Sequence, residues 1–203
     1  MTRIIAGVAR GRRLQVPPNG TRPTSDRVRE ALFSSIESTL LAEGRAWSQV
    51  GVLDLFAGTG ALGLEALSRG AARAVFVEKS RAAAKAVAAN IAVVGLPAAE
   101  VLIRDARQLA AEPARVGADL CFADPPYEWS ATDLSDLLAG LGDHGWLAPG
   151  ALVIVERPAK DPASPLPGAW PEGRRRAYGD TALWYGHVLE PETTRQRSDD
   201  RPS

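Results

Sequence analysis

The chain has 203 residues, with 24 Lys plus Arg balanced by 24 Asp plus Glu. This length fits one domain that buries a single core without support from disulfides or metals. Because the total charge is zero, only its distribution along the chain can indicate a polyanionic partner. A single cysteine and two histidines exclude a disulfide framework and the usual zinc sites.

No apolar stretch reaches the ~20 residues that a membrane span requires, and the first residues lack the apolar segment of a signal peptide. We therefore expect a cytoplasmic protein that has no membrane partner. We also expect no bound metal and a monomeric state.

The first thirty residues are basic, with seven arginines against Asp26 and Glu30. Strand-like stretches at 4–6 and 13–16 flank a glycine-punctuated turn, which predicts a small β-hairpin. The hairpin would present basic side chains, either as a solvated surface or as a nucleic-acid contact: Arg3, Arg10, Arg12 and Arg13. A second basic cluster lies at 174–176.

Helix signals follow a Pro-Gly linker. Hydroxyl residues cap helices well, so we expect a helix to begin after Thr24 or Ser25, and apolar residues then recur at helical spacing up to Leu40. Together with the hairpin, this helix forms a predicted N-terminal extension over residues 1–45.

From Val52 onward, short apolar stretches alternate with Ala-rich helical segments. This alternation is typical of a Rossmann-like, doubly wound α/β sheet with helices on both faces. Two later strand candidates, separated by Gly179-Asp180-Thr181, predict an antiparallel hairpin at the end of the sheet. We assign 46–189 to this domain and 190–203 to a disordered tail. The predicted strands are 52–56, 74–78, 101–103, 118–123, 151–156, 175–178 and 182–189, and the predicted helices 61–68, 81–94 and 134–141.

A glycine-rich turn follows the first strand, in the segment VLDLFAGTGALG at 52–63. Gly58, Gly60 and Gly63 have the G-x-G-x-x-G spacing that lets the backbone approach a ligand at a helix N-terminus. Glu78 ends the next strand, where a carboxylate can accept hydrogen bonds from both ribose hydroxyls. The pattern predicts a nucleoside-containing cofactor. The alternative is a tight turn that needs glycine for packing, followed by a surface glutamate.

Two acidic residues favour S-adenosylmethionine over NAD as that cofactor. Asp54 lies just before the glycine turn, where a buried carboxylate suits an ammonium-bearing ligand and repels a pyrophosphate. Asp105 follows the third strand and could accept from an adenine amino group. It could equally be the N-cap of a short helix that starts at Ala106.

The segment Asp124-Pro125-Pro126-Tyr127 ends the fourth strand in a rigid turn. Prolines cannot continue a hydrogen-bonded ladder, so the chain must leave the sheet there. The Asp124 carboxylate and the Pro125 carbonyl could both accept from the amine of a nucleobase, while Tyr127 stacks on the base. Alone, Asp-Pro-Pro is an ordinary turn; beside the glycine turn, it predicts a catalytic site.

These segments also carry a family resemblance. DLFAGTG at 54–60 and DPPY at 124–127 resemble class I methyltransferases that act on exocyclic base amines. RIIAG at 3–7, RGR at 10–12, RPTSDRVRE at 22–30 and YGDT at 178–181 resemble the RsmD-type 16S ribosomal RNA guanine-N2 methyltransferases, which modify guanine-966 of the small subunit. The resemblance runs from about residue 3 to residue 189.

The resemblance implies S-adenosylmethionine as the methyl donor and a seven-stranded sheet whose last strand is antiparallel. It also implies that 16S rRNA, naked or within a 30S subunit, contacts the hairpin, and that Thr24 and its neighbours close over the carboxylate end of the cofactor. The expected catalytic residues are Asp124, Pro125, Pro126 and Tyr127. The expected cofactor-binding residues are Arg22, Thr24, Asp54, Phe56, Gly58, Gly60, Glu78, Lys79, Asp105, Ala106 and Asp124.

Three alternatives stay open at this point. The same catalytic turn serves adenine-N6 methylation of DNA or RNA, and only the N-terminal segments favour guanine. The glycine spacing also fits an NAD-dependent oxidoreductase. A non-catalytic RNA-binding protein could retain the same fold.

Overall fold

The computed structural model describes residues 2–17, 25–171 and 173–190. Seven strands form one sheet with the order β3-β2-β1-β4-β5-β7-β6. β1 to β5 pair in parallel, whereas β7 pairs antiparallel with both β5 and β6. The α/β sheet with an antiparallel end is therefore confirmed. The strands are β1 (Gly51–Leu55), β2 (Arg73–Val77), β3 (Ala99–Leu102), β4 (Ala118–Ala123), β5 (Leu147–Pro158), β6 (Arg174–Tyr178) and β7 (Thr181–His187).

Five α-helices connect or precede these strands, and a 3-10 turn (Trp47–Gln49) leads into β1. Polar side chains begin four of the helices: Ser25, Ser80, Asp105 and Ser130 each accept a hydrogen bond from a backbone N–H of the first turn. The predicted start after Ser25 is thus confirmed. The helices are α1 (Asp26–Ala42), α2 (Ala61–Arg69), α3 (Arg81–Val94), α4 (Ala106–Ala110) and α5 (Ala131–Asp143).

Alternation along the strands divides the core between the two faces of the sheet. On one face, the sheet packs against α1, α2 and α3, and the core between them contains Phe33, Phe76 and Phe122. The other packs against α4 and α5 and contains Leu53 and Cys121. Cys121 is a buried core thiol.

The predicted N-terminal hairpin differs from two paired strands. A single antiparallel bridge joins Arg3 to Arg13. The backbone N–H groups of Ile5 and Ala6 donate to the buried Glu65 carboxylate at 2.6 and 2.9 Å, so they do not form a ladder across the hairpin. Other backbone N–H groups do bond across the hairpin, from Ile4 to the Arg12 carbonyl, from Gly11 to the Ile4 carbonyl and from Leu14 to the Thr2 carbonyl, each at 2.9 Å. The hairpin is therefore confirmed, and only the predicted extent of its strands, 4–6 and 13–16, was wrong.

The hairpin is packed closely onto the sheet domain. The backbone N–H of Val8 donates to the Ser68 carbonyl at 2.8 Å, and that of Ala9 donates to Ser68 Oγ at 3.0 Å. A Cβ at Gly7 would lie 1.8 Å from the Ser68 carbonyl oxygen, so only glycine permits this approach. The boundary between 45 and 46 stays a prediction, and the predicted tail beyond residue 190 lies outside the described residues.

Among the described residues, no helix has the length and apolarity to cross a membrane. The same residues contain no group of three or more His, Cys, Asp or Glu side chains arranged to hold a metal ion.

Candidate active site

The carboxyl ends of the central parallel strands form a rim that is rich in acidic side chains. Asp54 in β1 pairs in register with Phe76 of β2 and Phe122 of β4. Glu78 and Asp124 each lie two positions beyond those partners, so strand alternation places all three carboxylates on the α2 face of the sheet. The structure therefore brings these predicted residues together.

The glycine turn is held in an unusual backbone conformation. Phe56 has a φ of 58°, in the left-handed region, and Gly58 and Gly60 follow at 56° and 73°. A non-glycine residue in this region stores strain, which is typical of functional sites. Gly63 is needed for space, because a Cβ there would lie 2.4 Å from the Phe76 ring.

Two carboxylates fasten this turn. Asp54 is 3% exposed, and its Oδ2 accepts from the backbone N–H of Gly63 at 2.9 Å. Glu78 accepts from the N–H groups of Gly58 at 3.1 Å and Ser80 at 2.8 Å, one on each oxygen. A carboxylate has about four acceptor positions, so both residues keep capacity for a ligand.

Asp105 caps α4, since its Oδ1 accepts from the backbone N–H of Arg107 at 2.9 Å. The helix-capping interpretation is thus confirmed. The other carboxylate oxygen of Asp105 can still accept a hydrogen bond, so the contact with the adenine amino group stays a prediction. Ala106 is buried at the start of the helix, while Lys79 is exposed beside Glu78.

The Asp-Pro-Pro-Tyr turn leaves the sheet as expected. Pro125 is buried, and the Pro126 carbonyl accepts from the backbone N–H of Trp129 at 3.1 Å, which closes the turn. Tyr127 is 80% exposed. An aromatic ring held in solvent beside a rigid acceptor turn is available to stack on a nucleobase.

Negative charge accumulates at this rim. Burial, with Glu78 nearby, raises the pKa of Asp54 to about 7. Burial, then the charges of Glu156 and Asp54, raises the pKa of Asp124 to about 8. In the described part of the chain, no Lys or Arg forms an ion pair with Asp54, Glu78 or Asp124. These carboxylates therefore fit a ligand that carries positive charge.

Sequence reasoning missed two residues of the site. Glu156 lies on β5 one position past Val155, the partner of Ala123, and thus beside Asp124. Its only sequence signal was its place at a strand end. Trp129 is buried, meets the Phe56 ring edge-on at 5.1 Å and lies 3.8 Å below the Arg107 guanidinium. It thereby joins the Asp-Pro-Pro-Tyr turn to the glycine turn.

The predicted RNA-binding arginines are all exposed, but their surroundings differ. Arg3 pairs with Asp26 at 3.2 Å, and Arg12 donates to the Val93 carbonyl. Arg10 and Arg13 form no ion pair within the described residues. The candidates Arg22 and Thr24 lie outside the described residues.

Comparison with known proteins places this chain in a family. The family described as Conserved hypothetical protein 95 matches residues 2–187. The chain belongs to this family. It is 38% identical over 181 residues to Ribosomal RNA small subunit methyltransferase D of Escherichia coli K12, covering 89% of this chain and 86% of the relative. It is 36% identical to the protein of the same name from Haemophilus influenzae, with 83% and 84% covered. The RsmD-type resemblance is confirmed.

Solved structures agree with the assignment to the Conserved hypothetical protein 95 family. A putative methyltransferase, yhhF, from Escherichia coli has a TM-score of 0.79 at 34% identity and covers 94% of this chain and 99% of its own. An RNA methyltransferase from Salinibacter ruber, solved with S-adenosyl-L-homocysteine, shares the fold with a TM-score of 0.60 at 19% identity, covering 84% and 97%. The Rossmann-like methyltransferase fold is therefore confirmed.

Proposed function

We propose that this protein transfers a methyl group from S-adenosylmethionine to the exocyclic N2 of a guanine in 16S rRNA of the small ribosomal subunit, at the 966-type position. The observation that carries the proposal is the acidic rim beside a rigid Asp-Pro-Pro-Tyr turn, with no cation paired to Asp54, Glu78 or Asp124 in the described chain. The names of the Escherichia coli and Haemophilus influenzae relatives support rRNA as the substrate.

The rim fits the cofactor chemically. S-adenosylmethionine supplies an activated methyl group on a cationic sulfonium, and it also carries an ammonium group. Burial, together with the neighbouring carboxylates, raises the pKa values of Asp54 and Asp124, and these side chains would favour both cations. NAD would instead bring a pyrophosphate to the same carboxylates, which is unfavourable.

We propose the remaining cofactor contacts from the sequence pattern and the family resemblance. Glu78 would accept from the ribose hydroxyls with the lone pairs that Gly58 and Ser80 leave unused. The turn from Phe56 to Gly60 would approach the cofactor through its backbone, and Asp105 would accept from the adenine amine. Lys79, Ala106, Arg22 and Thr24 complete the proposed set.

The catalytic turn would prepare the substrate amine. The lone pair of the guanine N2 is delocalised into the ring, so the amine is a poor nucleophile. Asp124 and the Pro125 carbonyl accept its N–H groups, which concentrates electron density on nitrogen and aims it at the methyl group. As the N–C bond forms and the S–C bond breaks, the nitrogen releases a proton. The raised pKa of Asp124 makes this carboxylate a strong acceptor for that proton.

The surroundings of the turn fit a base taken out of its RNA context. Tyr127 would stack on the guanine, and Pro126 keeps the turn rigid through its bond to Trp129. The exposed hairpin arginines would bind rRNA phosphates and set the position of the enzyme on its substrate. We further propose that the enzyme acts as a cytoplasmic monomer on 30S subunits or their assembly intermediates.

A transfer assay tests the reaction and the target together. Tritiated S-adenosylmethionine is incubated with unmethylated 30S subunits, naked 16S rRNA and DNA, and the labelled nucleoside is then identified. We expect N2-methylguanosine from the ribosomal substrates and none from Asp124→Ala, whose affinity for S-adenosylhomocysteine should be largely retained. Label in N6-methyladenosine would overturn the guanine assignment.

Calorimetry tests the cofactor independently of any RNA. We expect S-adenosylhomocysteine to bind and NADH to give no heat of binding. Tight NADH binding without a response to S-adenosylhomocysteine would favour an oxidoreductase instead.

A further inference from the structure

A groove of about 480 Å³ runs between α1 and the edge strand β6. Its polar lining consists of hydroxyls on the helix and guanidinium groups on the strand: Ser34, Ser35, Ser38, Thr39, Arg174 and Arg176. Glu43 also lines the groove, but Arg45 lies 3.6 Å from its carboxylate. The net character of the groove is therefore basic.

The arginines of this groove are available to a ligand. Arg174 donates a long hydrogen bond of 3.3 Å to Ser35 Oγ and lies 5.0 Å above the Tyr185 ring. Neither Arg174 nor Arg176 takes part in an ion pair within the described ranges. Unpaired guanidinium groups on an open surface are suited to phosphate.

The hydroxyls opposite them are acceptors. Ser38 donates its hydroxyl hydrogen to the Ser34 carbonyl at 2.9 Å, and Thr39 donates to the Ser35 carbonyl at 3.2 Å. Their oxygen lone pairs are left for donors such as a ribose 2′-OH, the group that distinguishes RNA from DNA. A charged edge strand alone would serve to prevent aggregation, but that role gives no reason for a hydroxyl-rich helix facing it.

The groove also has a suitable position relative to Asp124. Arg176 pairs with Leu183 of β7, which pairs with Glu156 of β5, the residue beside Asp124. Arg176 is thus level with the rim, on the same face of the sheet as Asp124. It is three strands from β4, or about 14 Å at the usual strand spacing. Arg174 lies on the same face of β6, two residues further from the rim.

We propose that this α1–β6 groove binds the sugar–phosphate backbone of the rRNA substrate a few nucleotides from the target base. This inference rests on the proposed function and adds a second contact to that of the N-terminal hairpin. Arg174 and Arg176 bind phosphates, and the α1 hydroxyls accept from 2′-OH groups.

The test compares a groove variant with a control that removes the same charge. The groove variant is Arg174→Ala/Arg176→Ala. The control is Arg115→Ala/Arg175→Ala, because Arg175 lies on the opposite face of β6 over Trp184 and Arg115 is exposed before β4. Binding of fluorescent 16S rRNA fragments is measured by anisotropy at several salt concentrations, along with S-adenosylhomocysteine affinity.

We expect the groove variant to bind RNA about tenfold more weakly and to reduce the salt slope of log K by about 1.4–1.8, while the control keeps the wild-type slope. Ser38→Glu, which introduces a negative charge on the helix side, should also weaken RNA binding, and Ser38→Ala should do so much less. The groove variant and Ser38→Glu should both keep the wild-type affinity for S-adenosylhomocysteine.

Equal slopes for groove variant, control and wild type would overturn the proposal. So would a change in sedimentation in the groove variant with unchanged RNA affinity, which would identify β6 as a contact with a second copy of the chain. If wild-type protein neither binds nor methylates the rRNA, the proposed function itself fails, an outcome distinct from loss confined to the groove variant.

Discussion

At the scale of single residues, Asp124 has the most informative environment. It follows a buried strand and lies beside Glu156 and near Asp54. It forms no ion pair with any of the described residues. The sequence indicates an acceptor at this position, but it does not indicate how strong an acceptor. Burial of the side chain is the main cause of its unusually high pKa, and the proximity of Glu156 and Asp54 raises that pKa further.

The pH dependence of methyl transfer is the first prediction. In the proposed mechanism Asp124 accepts from the amine in its ionised form, and its pKa is raised to about 8, so kcat/KM should rise with pH up to about that value. Removing a negative neighbour by Glu156→Gln should shift the rise to lower pH. Glu100→Gln, an exposed carboxylate on β3, should leave the profile in place. Identical profiles for Glu156→Gln and wild type would contradict the prediction.

Asp54 allows a prediction about stability. Its folded-state pKa is about 7, whereas an unfolded aspartate titrates near the ordinary value of about 4. Between these values the folded chain binds more protons than the unfolded chain. The free energy of unfolding of the cofactor-free protein therefore decreases as pH rises through this window.

Asp54→Asn removes that titration but keeps an acceptor for Gly63. We expect the loss of stability between pH 5 and pH 8 to be smaller than in wild type by at least about 1 kcal/mol, measured by urea unfolding. The variant should at the same time bind S-adenosylhomocysteine more weakly, since a cation partner is lost. An unchanged pH dependence would show that Asp54 is ionised in the folded state across this range.

At the scale of elements, the turn between β1 and α2 depends on how closely two elements approach. Gly58 and Gly60 are needed for their left-handed φ values, whereas Gly63 is needed because α2 packs onto the Phe76 ring of β2. The three glycines have one sequence signature but two physical reasons. Phe56 adopts a left-handed φ without being glycine, which no sequence rule predicts.

Gly63→Ala tests the close approach. Its Cβ would lie 2.4 Å from Phe76, so the ring or the helix must shift, and we expect a loss of about 1–3 kcal/mol in the free energy of unfolding. The matched control is Gly142→Ala in α5, where a Cβ meets no atom closer than 3.9 Å. That control should be neutral or stabilising by up to about 1 kcal/mol, because alanine favours helix. Equal effects of the two substitutions would contradict this account.

At the scale of the whole molecule, the basic segments at the two ends of the chain meet one face of the sheet. The hairpin is fastened to α2, and Arg174 and Arg176 of β6 lie opposite α1 on the same face. The chain therefore has a net charge of zero but a face on which arginines collect. This arrangement fits a polyanionic substrate that extends on both sides of the Asp-Pro-Pro-Tyr turn.

The hairpin contact has its own prediction. Arg10→Ala/Arg13→Ala removes two exposed arginines that form no ion pair in the described residues, so folding should be unaffected. We expect weaker binding to 16S rRNA and a salt slope reduced by about 1.4–1.8, with S-adenosylhomocysteine affinity preserved. Arg115→Ala/Arg175→Ala is again the control. A wild-type slope in the hairpin variant would argue that these arginines are simply solvated.

The sequence by itself determined the order of elements, the acidic rim and the Asp-Pro-Pro-Tyr turn. These depend on local signals: apolar alternation, glycine spacing, helix caps and a Pro-Pro stop. The predicted helix 81–94 is α3 without change, and the strand 118–123 is β4.

Only the tertiary structure decided what each feature meets in space. Glu65 accepts from two backbone N–H groups of the hairpin, and Trp129 joins the Asp-Pro-Pro-Tyr turn to Phe56. Burial, together with the nearby Glu156, raises the pKa of Asp124. Each of these contacts joins residues far apart in the chain or on different elements. Their energies depend on burial and distance, which a linear pattern of residues does not contain.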